Sequence, residues 1–374
     1  MTNGSRSIST CVVLCVIFGL LFYFWLQNPT LEVTQLRQVR VKSAYDRPGT
    51  LSTHPTRFDG NLTGESIPYW RPFDPTNLSP DHGRLLEKLF LSVSSSSQAE
   101  ETDDAQIETI LFFGDSNERG IVDDLCFKLG SWAKVVSSKN PPSSSELWHA
   151  DPHVCEIELR EPTRRKLRFV SFMSYGVLIE KDSQLWEKKT ELDNGPWAVE
   201  ERIELARVFV EKMRWRKIDL IGFNSNLWDL MYLHDTHLRL KTNYEFSLSS
   251  STLDSYISRS LFALSQILTS FPDTPIYFRT LHPLHPGRKI DFFNSRRVVQ
   301  LNQAAIEIVS RQNSLGREKG MEVRLLDIGR VLEGWPTMKG EEFNILKDKV
   351  HLSWNPGLWM YGEMVLDALE RSRR

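Results

Sequence analysis

Cysteine is scarce, with four residues in 374, too few to build a small disulfide scaffold. No excess of charge of one sign exists either. Lys and Arg number 46 against 48 Asp and Glu, a formal net charge of −2, so the balance gives no reason to expect a nucleic-acid partner. No internal repeat is present. Hydrophobic residues make up 40% and charged residues 25%, which excludes a collagen-like rod and a chain disordered throughout. Long apolar runs are missing but for one, which excludes a multi-span membrane protein. At about 150 residues per domain the length allows one large or two ordinary domains.

The one apolar run is Cys11 to Leu26, unbroken by charge or proline. With Ile8, Ser9 and Thr10 it approaches the ~20 residues of a bilayer-spanning helix. No small-x-small cleavage site follows; Trp25-Leu26-Gln27-Asn28 is bulky and polar. That favours an uncleaved signal anchor over a removed signal peptide. The expectation is a single-pass type II protein of the Golgi, with 1–10 as a cytosolic tail, 11–26 as the span and a luminal body; the alternative is a secreted protein. Arg37, Arg40 and Lys42 after the span weaken the charge argument. The sequons at Asn61 and Asn77 support the luminal reading, although Pro80 makes the second a poorer acceptor.

Residues 27–105 read as a stem. Proline is frequent, periodic apolar runs are few, and Ser92 to Asp104 is a polar low-complexity insert. Tyr69, Trp70 and Phe73 suggest that its later part packs on the main domain. From 106 to 374 strand and helix signals alternate. Short apolar runs at Ile110–Phe113, Leu167–Phe172, Ile218–Phe223, Ile276–Phe278 and Val323–Ile328 read as buried strands. Amphipathic patterns at Val199–Arg214, Leu253–Leu268, Val298–Val309 and Leu358–Leu369 read as helices between them. Strands separated by helices predict an α/β three-layer sandwich with a central parallel sheet, whose site lies at the carboxyl ends of the strands.

Three motifs fall on that rim. Gly114-Asp115-Ser116 follows the first strand and opens a helix, where amides and dipole favour developing negative charge. A simpler reading is that Asp115 or Ser116 only caps the helix. Asp348-Lys349-Val350-His351 precedes the last helix. A serine hydroxyl needs a base to take its proton, and a carboxylate fixes the histidine's tautomer. Asp and His at this spacing meet only if the segment turns locally. Asn224 ends a strand, where its amide can serve as an oxyanion donor or as ordinary turn chemistry. His149 with His153, and His282 with His285, lack the partners of a zinc site, so no metal is expected.

Taken together these motifs resemble the SGNH/GDSL hydrolase superfamily, and more closely its PC-esterase and trichome-birefringence-like branch of plant polysaccharide O-acetyltransferases. Gly114-Asp115-Ser116 with Arg119 is similar to that branch's first block. Phe223-Asn224-Ser225 through Trp228 is similar to its second, Phe278-Arg279-Thr280 with His282-Pro283 to its third, and Asp348-x-x-His351 with Pro356-Gly357 to its last. The blocks occur in family order. Lys347 stands where the family has tryptophan before the terminal Asp, and the plant proteins' dense cysteine set is absent, so the chain reads as a distant member.

The resemblance implies Ser116 as nucleophile, His351 as base and Asp348 as its orienting partner. It implies an oxyanion hole from the Ser116 amide and Asn224, with Gly176 either a third donor or a turn residue. Arg119 is implied as a structural or site-lining residue, Arg279 and His282 are expected to line an acyl or sugar pocket, and Trp354 either packs in the core or stacks on a sugar ring. Cys126 and Cys155, the cysteines outside the apolar run, can pair if the fold brings them together. The implied activity is O-acetyl transfer onto a polysaccharide or glycan hydroxyl, with an acetyl ester or an acetyl-CoA-derived donor and no cofactor. Ester hydrolysis of a carbohydrate or lipid by the same residues is one alternative, and non-catalytic glycan binding is another.

Overall fold

The computed structural model describes residues 43–55, 66–74, 76, 78, 81–93, 106–129, 133–135, 152–159, 165–179, 198–240, 246–285, 294–316, 322–336 and 344–373. The apolar run 11–26, Asn61, Asn77 and most of the low-complexity insert lie outside these residues. Among the described residues no helix is long and apolar enough to cross a membrane.

A hairpin of β1 (Gly49–Pro55) and β2 (Ser66–Pro72) comes first, then helix α1 (Leu85–Ser92). Strand β3 (Gln106–Gly114) leads directly into α2 (Ser116–Leu129). Strands β4 (Ala133–Val135), β5 (His153–Glu158) and β6 (Arg165–Met173) follow, then α3 (Val199–Lys212), β7 (Leu220–Phe223), α4 (Asn226–Leu240) and α5 (Ser250–Ser270). The chain continues with β8 (Ile276–Arg279), α6 (Ser295–Gly316), β9 (Val323–Leu326), the short α7 (Ile328–Val331) and α8 (Trp359–Ser372).

Seven strands form the main sheet in the order β4-β5-β6-β3-β7-β8-β9. The run from β6 to β9 is parallel, as the alternation of strand and helix predicts. At the β4 edge the sheet turns antiparallel, because β4, β5 and β6 follow one another without an intervening helix among the described residues. Strand β3 is central. Its side chains alternate between two cores: Ile110 and Phe112 face one, Leu111 and Phe113 the other. Helices α1, α2 and α8 contribute to the first core through Phe90, Ile121 and Met364. Helices α3, α5 and α6 contribute to the second through Ile203, Leu264 and Leu301. Gly222 of β7 pairs with Phe112. A Cβ there would stand 2.8 Å from the Phe112 ring, so glycine lets the ring lie across the neighbouring strand.

The compact unit begins at Ser43, so the stem expected over 27–105 is shorter than its composition suggests. The hairpin packs Ile67 and Trp70 into the core that holds α8. Of the three aromatics expected to dock, Trp70 is buried and Tyr69 half-buried, whereas Phe73 is 72% exposed. Helix α1 is tied down by a carboxyl group distant in sequence: Glu363 of α8 accepts from Leu85 N at 3.0 Å and Leu86 N at 2.7 Å. This satisfies two amides at a helix start that lacks a capping side chain of its own. Cys126 of α2 and Cys155 of β5 form a disulfide, with Cα atoms 5.7 Å apart.

Two measurements follow from these contacts. Replacing both Cys126 and Cys155 by alanine should cost about 3.6 kcal/mol for a sequence separation of 29. Denaturant melts of the wild type and the double variant read it, and equal stability would show that the bridge does not form. Burial raises the Glu363 carboxyl to about 8 and the Asp229 carboxyl of α4 to about 7. The folded state therefore holds protons that the unfolded chain releases near its ordinary carboxylate values, and stability should fall as pH rises from about 5 to 8. Melting temperature across this range should decline with pH, less steeply in Glu363→Gln; a rise with pH would contradict the assignment.

Candidate active site

The chain passes from β3 to β6 on one side and reaches β7 on the other. The carboxyl end of β3 is thus a switch point of the kind where α/β sheets open a crevice. Ser116 stands there as the first residue of α2, half-buried. Asp115 caps the helix, as the simpler reading of the motif has it. Its Oδ1 accepts from Asn117 N at 2.7 Å, and its own N–H donates to Glu118 Oε2 at 2.8 Å. These are the reciprocal bonds of a capping box. Glu118 folds back so tightly that a Cβ on residue 114 would come within 2.3 Å of its carboxyl group, which explains Gly114.

Beneath the turn lies a buried ionic cluster. Asp115 Oδ2 accepts from Arg279 Nη2 at 3.0 Å and from Asn224 Nδ2 at 2.8 Å. Arg279 also donates through Nε to Glu118 Oε1, which accepts in addition from the Tyr361 hydroxyl at 2.9 Å. Asp115, Glu118, Arg279 and Asn224 are all essentially inaccessible. Burial raises the Asp115 carboxyl, but Arg279, the Asn117 amide, His282 and Asn224 outweigh it and hold the group at about 2. For Glu118, burial outweighs Arg279, and the neighbouring Asp115 charge adds to the rise, to about 7. Burial disfavours the Arg279 charge, yet the two carboxylates more than compensate and keep it charged.

The Asp348–His351 segment turns on itself. Asp348 Oδ1 accepts from the backbone N–H groups of Val350 and His351, each at 2.9 Å, an Asx-type turn. Its Oδ2 meets His351 Nδ1 at 2.6 Å, which leaves Nε2 as the nitrogen that can exchange a proton elsewhere. Burial raises the Asp348 carboxyl, but its bonds to the two amides and the ring lower it overall. The His351 and Asp348 side chains are 32% and 49% exposed. Two buried side chains hold this segment against the serine turn. Asn117 Oδ1 accepts from Leu352 N at 2.8 Å, and His282 Nε2 lies 2.9 Å from the Val350 carbonyl oxygen.

The remaining expected residues fall into two groups. Gly176 lies at the rim in the loop after β6, with φ +98°. Asp229 Oδ1 accepts from Val177 N and Leu178 N at 2.9 and 2.8 Å and would clash with any Cβ at 176. Arg119, in the first turns of α2, is half-buried. The structure differs from expectation at Arg279 and His282. Both are fully buried in the scaffold, not lining a pocket, because their partners are the two carboxylates and the Val350 carbonyl. Trp354 packs edge-on against Phe90 and Trp359 at 6.1 and 5.9 Å, an arrangement that uses its ring as core. The Asn224 amide points inward at Asp115.

Asn117, Glu118, Asp229 and Tyr361 also hold the site together, and no motif in the sequence marks them as a group. Only Glu118 carries a local signal, an acidic residue three positions after a capping Asp. The others act on partners far away in the chain.

No family model matches the chain, and no curated protein matches it. Among solved structures, similarity is found to a carbohydrate esterase family 3 protein from Talaromyces cellulolyticus, at 13% identity over 71% of this chain and 98% of that one, with TM-score 0.36. An acetylxylan esterase from Geobacillus stearothermophilus is similar at 14% identity over 72% and 94% of the two chains, with TM-score 0.34. A carbohydrate acetylesterase from Sinorhizobium meliloti is similar at 13% identity over 70% and 98%, with TM-score 0.31. At that degree of likeness no activity passes from them to this chain.

Proposed function

We propose that the domain moves an acyl group, in the first instance acetyl, onto a carbohydrate hydroxyl through an acyl-Ser116 intermediate. The observation that carries this reading is the pairing of His351 Nδ1 with Asp348 Oδ2 at 2.6 Å, in a segment whose next residue is hydrogen-bonded to the neighbour of Ser116. A binding module has no need of an oriented histidine beside a serine at a helix start.

In the first step Ser116 Oγ attacks the ester carbonyl carbon while His351 Nε2 takes its proton. Asp348 accepts the Nδ1–H bond and stabilises the imidazolium. Negative charge gathers on the carbonyl oxygen, where the amino end of α2 favours it. The Ser116 N–H and Gly176 are the donors assigned to it; Asn224, expected to join them, instead gives its amide to Asp115 at 2.8 Å and Glu118 at 3.4 Å and orders the turn from below. The tetrahedral species collapses, its ester C–O bond breaks, and the leaving alcohol takes the proton from His351. In the second step His351 removes a proton from a sugar hydroxyl, whose oxygen attacks the acyl-serine carbonyl; the Ser116 Oγ–acyl bond then breaks and Oγ takes the proton back from His351, which restores the neutral pair.

The sugar acceptor and the polysaccharide class rest on the resemblance to plant O-acetyltransferases. Hydrolysis is the second reading, and the half-exposed His351 favours it, because water that reaches the base can replace the sugar. The body of the protein is assigned to the lumen of the secretory pathway, anchored by 11–26 as a type II protein. The Cys126–Cys155 disulfide supports an oxidising compartment.

Incubation with an activated acetyl ester, followed by intact mass, should give a one-acetyl adduct on the wild type and none on Ser116→Ala. Turnover in that variant should fall by at least about 1,000-fold, with its melting temperature within about 2 °C of wild type. Faster discharge by oligosaccharides than by water identifies a transferase; equal discharge identifies a hydrolase. A fully active Ser116→Ala protein would end the catalytic reading.

A further inference from the structure

The two halves of the proposed centre lie 235 residues apart along the chain, as do Asn117 and Leu352. Ser116 belongs to a turn anchored on all sides. His351 belongs to a segment that is half-exposed and lies between Leu346 and Leu352, themselves joined by an isolated bridge. The bond from Lys347 N to His351 O shapes this segment without fixing its place in the domain. Contacts that do fix it come from Asn117, His282 and the His285 amide, which donates to Lys349 O at 3.2 Å.

Asn117 has a special position among these. It follows Ser116 directly, and its partner Leu352 follows His351 directly. Its side chain has no freedom to turn. Nδ2 donates to Asp115 Oδ1 at 2.9 Å, an acceptor-only carboxylate, so Oδ1 must face the Leu352 N–H. The backbone N–H of Asn117 is bonded to the same Asp115 oxygen. The residue is 1% exposed, which shields the bond to Leu352 from competition by water. A displaced reacting pair loses rate steeply, by about 100-fold for 1 Å.

We propose that Asn117 is a positioning residue that sets the register of Ser116 against His351, with His282 as the second tether of the same segment. This inference rests on the reading of Ser116 and His351 as nucleophile and base. Asn117 touches no reacting atom; its amide couples the serine turn to the histidine turn.

The test uses the whole chain, with 4-nitrophenyl acetate for steady-state rates and a fluorophosphonate for labelling of Ser116. Asn117→Ala should lower kcat by about 100-fold, leave KM within about threefold, and slow the labelling in proportion to kcat. A drop confined to melting temperature, with kcat per folded molecule unchanged, would overturn the proposal. If Asn117→Ala does not fold, His282→Leu and His282→Gln decide the matter. Gln retains an N–H within reach of the Val350 carbonyl and should recover most of the rate that Leu loses; wild-type rates in His282→Leu would overturn the tether. The two layers fail differently. Wild-type protein not labelled at Ser116 removes the underlying catalytic reading, whereas equal labelling of wild type and Asn117→Ala removes the tether alone.

Discussion

The guanidinium of Arg279, buried between Asp115 and Glu118, is the interaction on which the rest of the site depends. Three charged groups share one dry space, and a buried ion left unpaired costs about 3–5 kcal/mol. The arrangement therefore persists only while Arg279, at the end of β8, sits directly under the start of α2. Asp115 remains ionised, whereas burial, with the adjacent Asp115 charge, pushes Glu118 up despite Arg279. Tyr361 completes the set by donating to Glu118 and by placing its ring 5.3 Å from the guanidinium. Strand β8, helix α2 and helix α8 are thereby locked at one point, immediately below the serine.

The same logic operates at the neighbouring loop. The segment after β6 is held from three helices: Asp229 of α4 takes two of its amides, Arg259 of α5 donates to the Val177 carbonyl at 3.0 Å, and Arg202 of α3 donates to the Met173 carbonyl at 2.8 Å. Three helices that cover the second core, α3, α4 and α5, thus each send one polar side chain up to the rim. Backbone groups that would otherwise be unpaired in a loop are satisfied by the scaffold, which leaves the loop rigid without secondary structure of its own.

Much of this fold is legible in the sequence. The five parallel strands and the four longer helices after β6, other than α4, stand out because each is buried on a regular period. Strand β3 shows why: a run buried on both faces has no polar interruption, and it ends where Gly114 must admit Glu118. The hairpin and α1 escape notice because their anchors are remote. Trp70 finds its core among residues distant in sequence, those of α8 included, and α1 is capped by Glu363, some 277 residues away from Leu86. On the proposed reading, Ser116, Asp348 and His351 are the part of the site that type and order in the sequence point to. The roles of Arg279, His282 and Trp354 cannot be read that way, because a motif names a residue type and not the direction of its side chain. An arginine after a strand can face solvent or the core, and here the alternation of β8 puts Arg279 on the side of Tyr277 and α8.

A division of labour results. Every group that fixes the serine turn is buried, whereas the Asp348–His351 pair is half-exposed. The scaffold thus supplies geometry but little exclusion of water at the base. On the proposed reading, discrimination between a sugar hydroxyl and water cannot come from the buried network, whose members do not reach the acceptor. It must come from the acceptor's own occupancy of the space over His351, which displaces water as the sugar binds. Transfer and hydrolysis then differ in how long a glycan stays in place and not in the residues that perform the chemistry. The same Ser116, His351 and Asp348 serve either outcome, and the partition between them belongs to the rim that surrounds the pair.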